Sequence, residues 1–151
     1  MVNDDPDFVK TWNEAWSSVK ADIALTIGIE PISASDSHVE LAMAFRPEIA
    51  QVTGVLSAGA LIQLADVTAT ALCRRTIQER DDADSFPFSV QMNAHLIANT
   101  GSGRAIARSR LLSAGQTVMT AETVVRDEQG KDLMLLTSTH IVKRFLIGTR
   151  I

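Results

Sequence analysis

The stretch from residue 57 to 79 constrains the fold most. Ala58, Ala60, Leu61, Ile62, Leu64, Ala65, Val67, Ala69, Ala71 and Leu72 leave almost no polar face before Arg74. A helix that is apolar nearly all round is buried on most sides, so the rest of the chain has to cover it. Ser57 is the expected N-cap. The approach Gln51-Val52-Thr53-Gly54-Val55-Leu56 carries a glycine that predicts an unusual backbone turn.

The cover is written after residue 85. Apolar and polar residues alternate there, which predicts strands over about 86–98, 104–113, 116–127 and 132–144. Asn99-Thr100-Gly101-Ser102-Gly103, Ser113-Ala114-Gly115 and Asp127-Glu128-Gln129-Gly130 separate them as hairpin connections. A further strand is expected over 38–46, with Val39, Leu41, Met43 and Phe45 on one face, whereas Gly28, Pro31 and Ser33–Ser37 break the pattern. Residues 5–23 read as a helix with Asp5 as N-cap and a stripe of Phe8, Val9, Trp12, Trp16, Val19 and Ile23 that lies on a sheet. The order is helix, strand, buried helix, then four antiparallel strands. That is α+β, with a long curved sheet wrapped around the central helix.

Several classes are excluded or disfavoured. Net charge is -4, against a sequence-independent nucleic-acid binder. One cysteine, Cys73, allows no internal disulfide and no cysteine-rich metal cage, and reads as an inert core residue. His38, His95 and His140 stand singly on three expected strands, without metal-ligand spacing. The acidic loop at 80–85 lacks the ligand pattern of a calcium loop. Gly101 and Gly103 precede no helix, so they are no dinucleotide fingerprint. No apolar run reaches 18 residues and the N-terminus is unlike a secretory signal, so a single cytoplasmic domain over 1–151 is expected, without metal or redox cofactor.

Asp66 is the residue that breaks the helix's apolar pattern. A carboxylate there either accepts hydrogen bonds and anchors packing, or serves chemistry in a desolvated site. The second feature is the helix start, where the amides of Ala58, Gly59 and Ala60 point outward at the positive end of the macrodipole and suit a developing oxyanion. Gly59 and Asp66 are seven residues apart, roughly 10 Å along the axis. One helix therefore cannot present both to the same carbonyl. Two antiparallel copies related by a two-fold axis can.

The run Gln51 to Asp66 resembles the hotdog-fold acyl-CoA thioesterases of the phenylacetate-pathway type, whose usual pattern is N-x-x-G-x-x-H-G-G followed by an acid seven or eight residues on. Phe88-Ser89-Val90-Gln91-Met92-Asn93, Ser113-Ala114-Gly115-Gln116-Thr117 and Val125–Lys131 resemble that family's later strand, glycine turn and last hairpin. The resemblance spans about residues 24–144. It implies a hotdog fold, assembly into dimers or tetramers, and hydrolysis of an acyl-CoA. Asp66 would be base or nucleophile, and Ala58, with Gly59, would hold the oxyanion. Ser89 would place water, and Gln51 would reach the thioester from the other subunit. Ser57, Gly54, Gln116 and Arg104 complete the expected substrate-binding set. Ser57 stands at the family's histidine, Ala58 at its first glycine and Gln51 at its asparagine. These changes keep open a non-catalytic acyl-binding protein, with a hydratase or dehydratase behind it. Arg104, Arg108 and Arg110 form a basic strand edge, either a solvated face or a contact for the CoA phosphates. Asn93 and His95 alternate with Met92, Ala94 and Leu96, so they are expected to face away from one apolar face, toward a second helix layer or a dimer contact.

Overall fold

The structure is a computed structural model, described over residues 3–82 and 84–144. Its elements run α1 (Phe8–Ser17), α2 (Ile23–Thr26), β1 (Ile29–Ala34), β2 (Val39–Ala44), α3 (Ala58–Glu79), β3 (Ser85–Leu96), β4 (Arg104–Ala114), β5 (Val118–Asp127) and β6 (Asp132–Arg144). The six strands form one antiparallel sheet in the order β1-β2-β4-β5-β6-β3. α3 packs against β2, β3, β4, β5 and β6, so the sheet wraps the long helix as expected of a hotdog fold.

The reason is the apolar girth of α3. Leu61, Leu64, Ala65 and Leu72 are buried against Leu41, Met43, Ala105, Ala107, Val125, Met134 and Leu136, the inward residues of the strands. Thr68 would break this lining, but its hydroxyl donates to the Leu64 carbonyl 2.7 Å away, within the helix itself. Cys73 is buried, and desolvation pushes its thiol up to about 12, which suits a packing residue.

The N-terminal quarter departs from the sequence reading. The helix expected over 5–23 ends at Ser17, whose hydroxyl turns back to the Glu14 carbonyl, and a separate short α2 is capped by Asp22, whose side chain accepts from Ala24 N–H. The regular helix begins later than expected, with Asp7 in the N-cap position and making no side-chain bond; the Asp5 carboxylate still accepts from the Asp7 N–H at 3.0 Å and bridges to Arg75 at 2.8 Å. The two tryptophans pack on Phe8 and the core, with ring centroids 5.9 Å and 5.4 Å apart along the stripe, so the plain amphipathic reading holds.

β1 is a strand that the sequence reading took for a break. Pro31 sits in it, but β1 is an edge strand and a bulge falls between Pro31 and Ser33, where the missing N–H costs no ladder bond. Of the loop expected at 80–85, Ala83 lies outside the described residues and Ser85 already belongs to β3.

Candidate active site

Ser57 caps α3 as expected, accepting from Ala60 N–H at 3.1 Å. The preceding loop is fixed by short bonds. Gly54 adopts a left-handed φ of 81°, and its amide donates to the Gln51 carbonyl at 2.9 Å. Leu56 N–H donates to the Thr100 carbonyl and the Asn99 amide donates to the Leu56 carbonyl, at 3.0 Å and 2.7 Å. Gly101 lies so close that a Cβ there would stand 2.8 Å from the Gly54 carbonyl oxygen. The start of α3 is thus tied to the β3–β4 connection.

Among the described residues no hydrogen bond engages the amides of Ala58 and Gly59. Gly59 is exposed and a Cβ on it would meet nothing within 4 Å, so packing within this chain does not demand glycine there. Beside this helix end lies a cavity of about 220 Å³, lined by Ile23, Ile27, Glu48, Ile49, Ser57, Gly59, Ala60 and Gln63. α2, absent from the sequence reading, supplies part of its wall.

Asp66, two turns on, is half-buried and faces β3. Ser89 donates its hydroxyl to Asp66 Oδ1 at 2.6 Å. Among the described residues Asp66 forms no ion pair, and no second hydrogen bond reaches it. Behind Ser89 stands His140, fully buried, with Nδ1 3.3 Å from Ser89 Oγ and Nε2 2.8 Å from Ser138 Oγ. Burial lowers its pKa from the usual 6.5, against the smaller upward pulls of the Asp66 charge and the Pro87 carbonyl. Burial thus favours the neutral ring.

Sequence reasoning missed His140. It has no histidine neighbour along the chain, and it joins the site because the β3–β6 register sets it opposite Ser89. The one local signal is Ser138, two residues before it and on the same inward face.

The other expected residues lie elsewhere. Gln51 is exposed, its amide donating to Thr53 Oγ1 at 2.8 Å. Gln116 is exposed in the β4–β5 turn, whose Ala114 and Gly115 carbonyls accept from Arg80 at the end of α3. Arg104, Arg108 and Arg110 are each paired, with Glu128, Glu40 and Glu122, all at 2.8 Å. Each of these charges is thus matched by a carboxylate in this chain. Met92 and Leu96 are 45% and 51% exposed, so the outer half of β3 presents apolar side chains rather than burying them. No trio of histidine, cysteine or acidic residues among those described is arranged to hold a metal ion.

The fold is similar to that of solved thioesterases. A thioesterase from Haemophilus influenzae superposes with a TM-score of 0.82 at 19% identity, covering 94% of each chain. The Escherichia coli PaaI protein from the phenylacetic acid degradation operon gives 0.73 at 17% identity, covering 89% of this chain and 95% of its own. A Streptococcus mutans protein bound to acetyl-CoA gives 0.66 at 13%, covering 77% and 89%. No curated protein sequence matches the chain. The family model of the thioesterase superfamily matches residues 53–134, from the loop before α3 through β4 and β5 into β6, and the chain belongs to that superfamily.

Proposed function

We propose that the protein hydrolyses acyl-CoA thioesters at a site assembled from two copies of the chain. The observation that carries this reading is the Ser89–Asp66 bond of 2.6 Å. A carboxylate with one oxygen held by a hydroxyl and the other unengaged is oriented to take a proton from water. The acetyl-CoA bound to the Streptococcus mutans relative supports CoA as the carrier.

Asp66 and the first amides of its own α3 are too far apart to serve one carbonyl. The sheet offers a way to bring in a second α3. β3 ends the sheet, bonded to β6 on one side only, and Val90, Met92 and Leu96 are 53%, 45% and 51% exposed along it. A long apolar edge is a template for pairing with another chain. A second copy joined there about a two-fold axis would bring the two helices together, each with its Asp66 toward the other's N-terminus.

In the reaction, water held by Asp66 and Ser89 attacks the thioester carbonyl carbon and its proton passes to Asp66. The carbonyl oxygen takes the negative charge and is stabilised by the partner copy's helix start, through the N–H of Ala58 with that of Gly59. The C–S bond then breaks, the proton leaves with the CoA thiol, and the acid departs. The cavity at the helix start, walled by Ile23, Ile27 and Ile49, would take the acyl group. Gln51, Gln116 and Arg104 stay as candidate contacts for the thioester and the CoA phosphates, Arg104 only by exchanging its Glu128 partner.

Two observations favour a second reading, an acyl-binding protein without turnover: the Ser57 hydroxyl is committed to capping α3, and the Gln51 amide is tied to Thr53. A hydratase needs a substrate-touching histidine beside the acid, and the histidine beside Ser89 and Asp66, His140, is fully buried. Steady-state hydrolysis of an acyl-CoA panel, run beside equilibrium binding, decides between the first two. Turnover that Asp66→Ala abolishes supports the thioesterase. Saturable binding with no turnover selects the binding protein.

A further inference from the structure

We infer that His140 is a positioning residue that, through a fixed Nδ1–H, holds the Ser89 hydroxyl onto Asp66. This rests on the reading of Asp66 as the base. The inference follows from counting protons along the chain of contacts. An ionised Asp66 can only accept, so the 2.6 Å contact uses the one hydroxyl proton of Ser89. The 3.3 Å contact between Ser89 Oγ and His140 Nδ1 then needs its proton from the ring. In a neutral imidazole the other nitrogen is an acceptor, so Nε2 takes the hydroxyl proton of Ser138 at 2.8 Å. The chain therefore runs one way: Ser138 to His140, His140 to Ser89, Ser89 to Asp66.

The surroundings keep this direction. His140 is fully buried, so water cannot compete for either nitrogen. It lies between Ser89 on β3 and Met119 on β5, neither of which titrates, and the Pro87 carbonyl, an acceptor only, also draws on a ring N–H rather than supplying one. Among the described residues the one charged group facing the ring is Asp66, on α3. A doubly protonated ring would have to aim a second N–H at Ser138, which would then have to turn its own proton elsewhere. The neutral ring satisfies all three hydroxyl and imidazole groups at once. A serine without this backing rotates among three staggered positions, of which one points at Asp66.

Two measurements test this. The first is nitrogen NMR of isotope-labelled imidazole in the intact protein, which reads the tautomer without any turnover. A protonated Nδ1 beside an unprotonated Nε2 at pH 7 is the expected result, and an Nε2–H ring or an imidazolium overturns the inference. The second is kinetic. His140→Leu fills the space without a donor, and should lower kcat for acyl-CoA hydrolysis about tenfold or more, with KM little changed. His140→Asn, which restores an N–H near the Nδ1 position, should recover much of the loss. An active parent whose kcat is untouched by His140→Leu overturns the inference. A parent that hydrolyses no acyl-CoA sinks the thioesterase reading instead, and the spectrum still decides the direction of the bonds.

Discussion

Ser89 on β3 and Asp66 on α3 are joined by a 2.6 Å hydrogen bond that crosses from the sheet to the helix it wraps. The helix packs against five strands of the sheet, and β3 is one of its two edge strands. The bond therefore links the core to the surface where a second copy would join. Losing the carboxylate and losing the hydroxyl should have different consequences. Asp66→Ala or Asp66→Asn removes the base, and kcat should fall by about 100- to 10,000-fold. Ser89→Ala leaves the base but loses a hydrogen bond to a charged group, for which about tenfold to a hundredfold is expected. Steady-state kinetics with a short-chain acyl-CoA checks both, with circular dichroism confirming that the fold is kept.

Ala58 is the first helical residue of α3, and Ser57 before it has φ -68° and ψ 145°, an extended conformation that a following proline accepts. Ala58→Pro removes one N–H while leaving the helix able to form. The oxyanion reading predicts a fall in kcat of about 100-fold or more with little loss of stability. Denaturant unfolding measured beside the kinetics separates the two effects.

Gly54→Ala tests the loop rather than the chemistry. The space around a new Cβ is open, but φ is 81°, so the cost is backbone strain and not collision. A loss of about 1–2 kcal/mol is expected, read as a lower urea midpoint. A variant as stable as the parent would contradict the strained turn.

His38 and His140 both have pKa values below the usual 6.5, chiefly because burial disfavours the charged ring. The unfolded chain therefore binds protons that the folded one does not. Stability from these rings is complete above pH 6.5 and is lost as pH falls from there toward their folded values. Urea unfolding followed between about pH 7.5 and 5 should show this loss, and His140→Asn should flatten part of it.

Most of the architecture was legible because α3 and the last four strands have clean periods. The apolar girth of α3, the N-cap at Ser57 and the turn at Gly54 are all local signals, and the structure repeats them. β1 was not legible, because Pro31 and the serines after it read as a break unless the strand is known to lie at an edge. The helix break at Ser17 was hidden by an apolar stripe that continues through Val19 to Ile23. In the site, Asp66 was visible as a charge out of place, but His140 needed the β3–β6 register. The exposed face of β3 was obscured for a similar reason: a bulge between Ser89 and Gln91 shifts the alternation, and Met92 and Leu96 lie beyond the cover of α3.

The central claim is that each site takes its acid from one copy and its helix start from the other. Mixing two inactive variants tests it directly. Asp66→Ala keeps an intact helix start and Ala58→Pro keeps an intact acid. Co-expressed and exchanged at equal amounts, half of the dimers are mixed and each has one complete site, so hydrolysis should return to about a quarter of the parent's. If native mass spectrometry shows the mixed dimer and hydrolysis stays at the level of the separate variants, the shared site is contradicted.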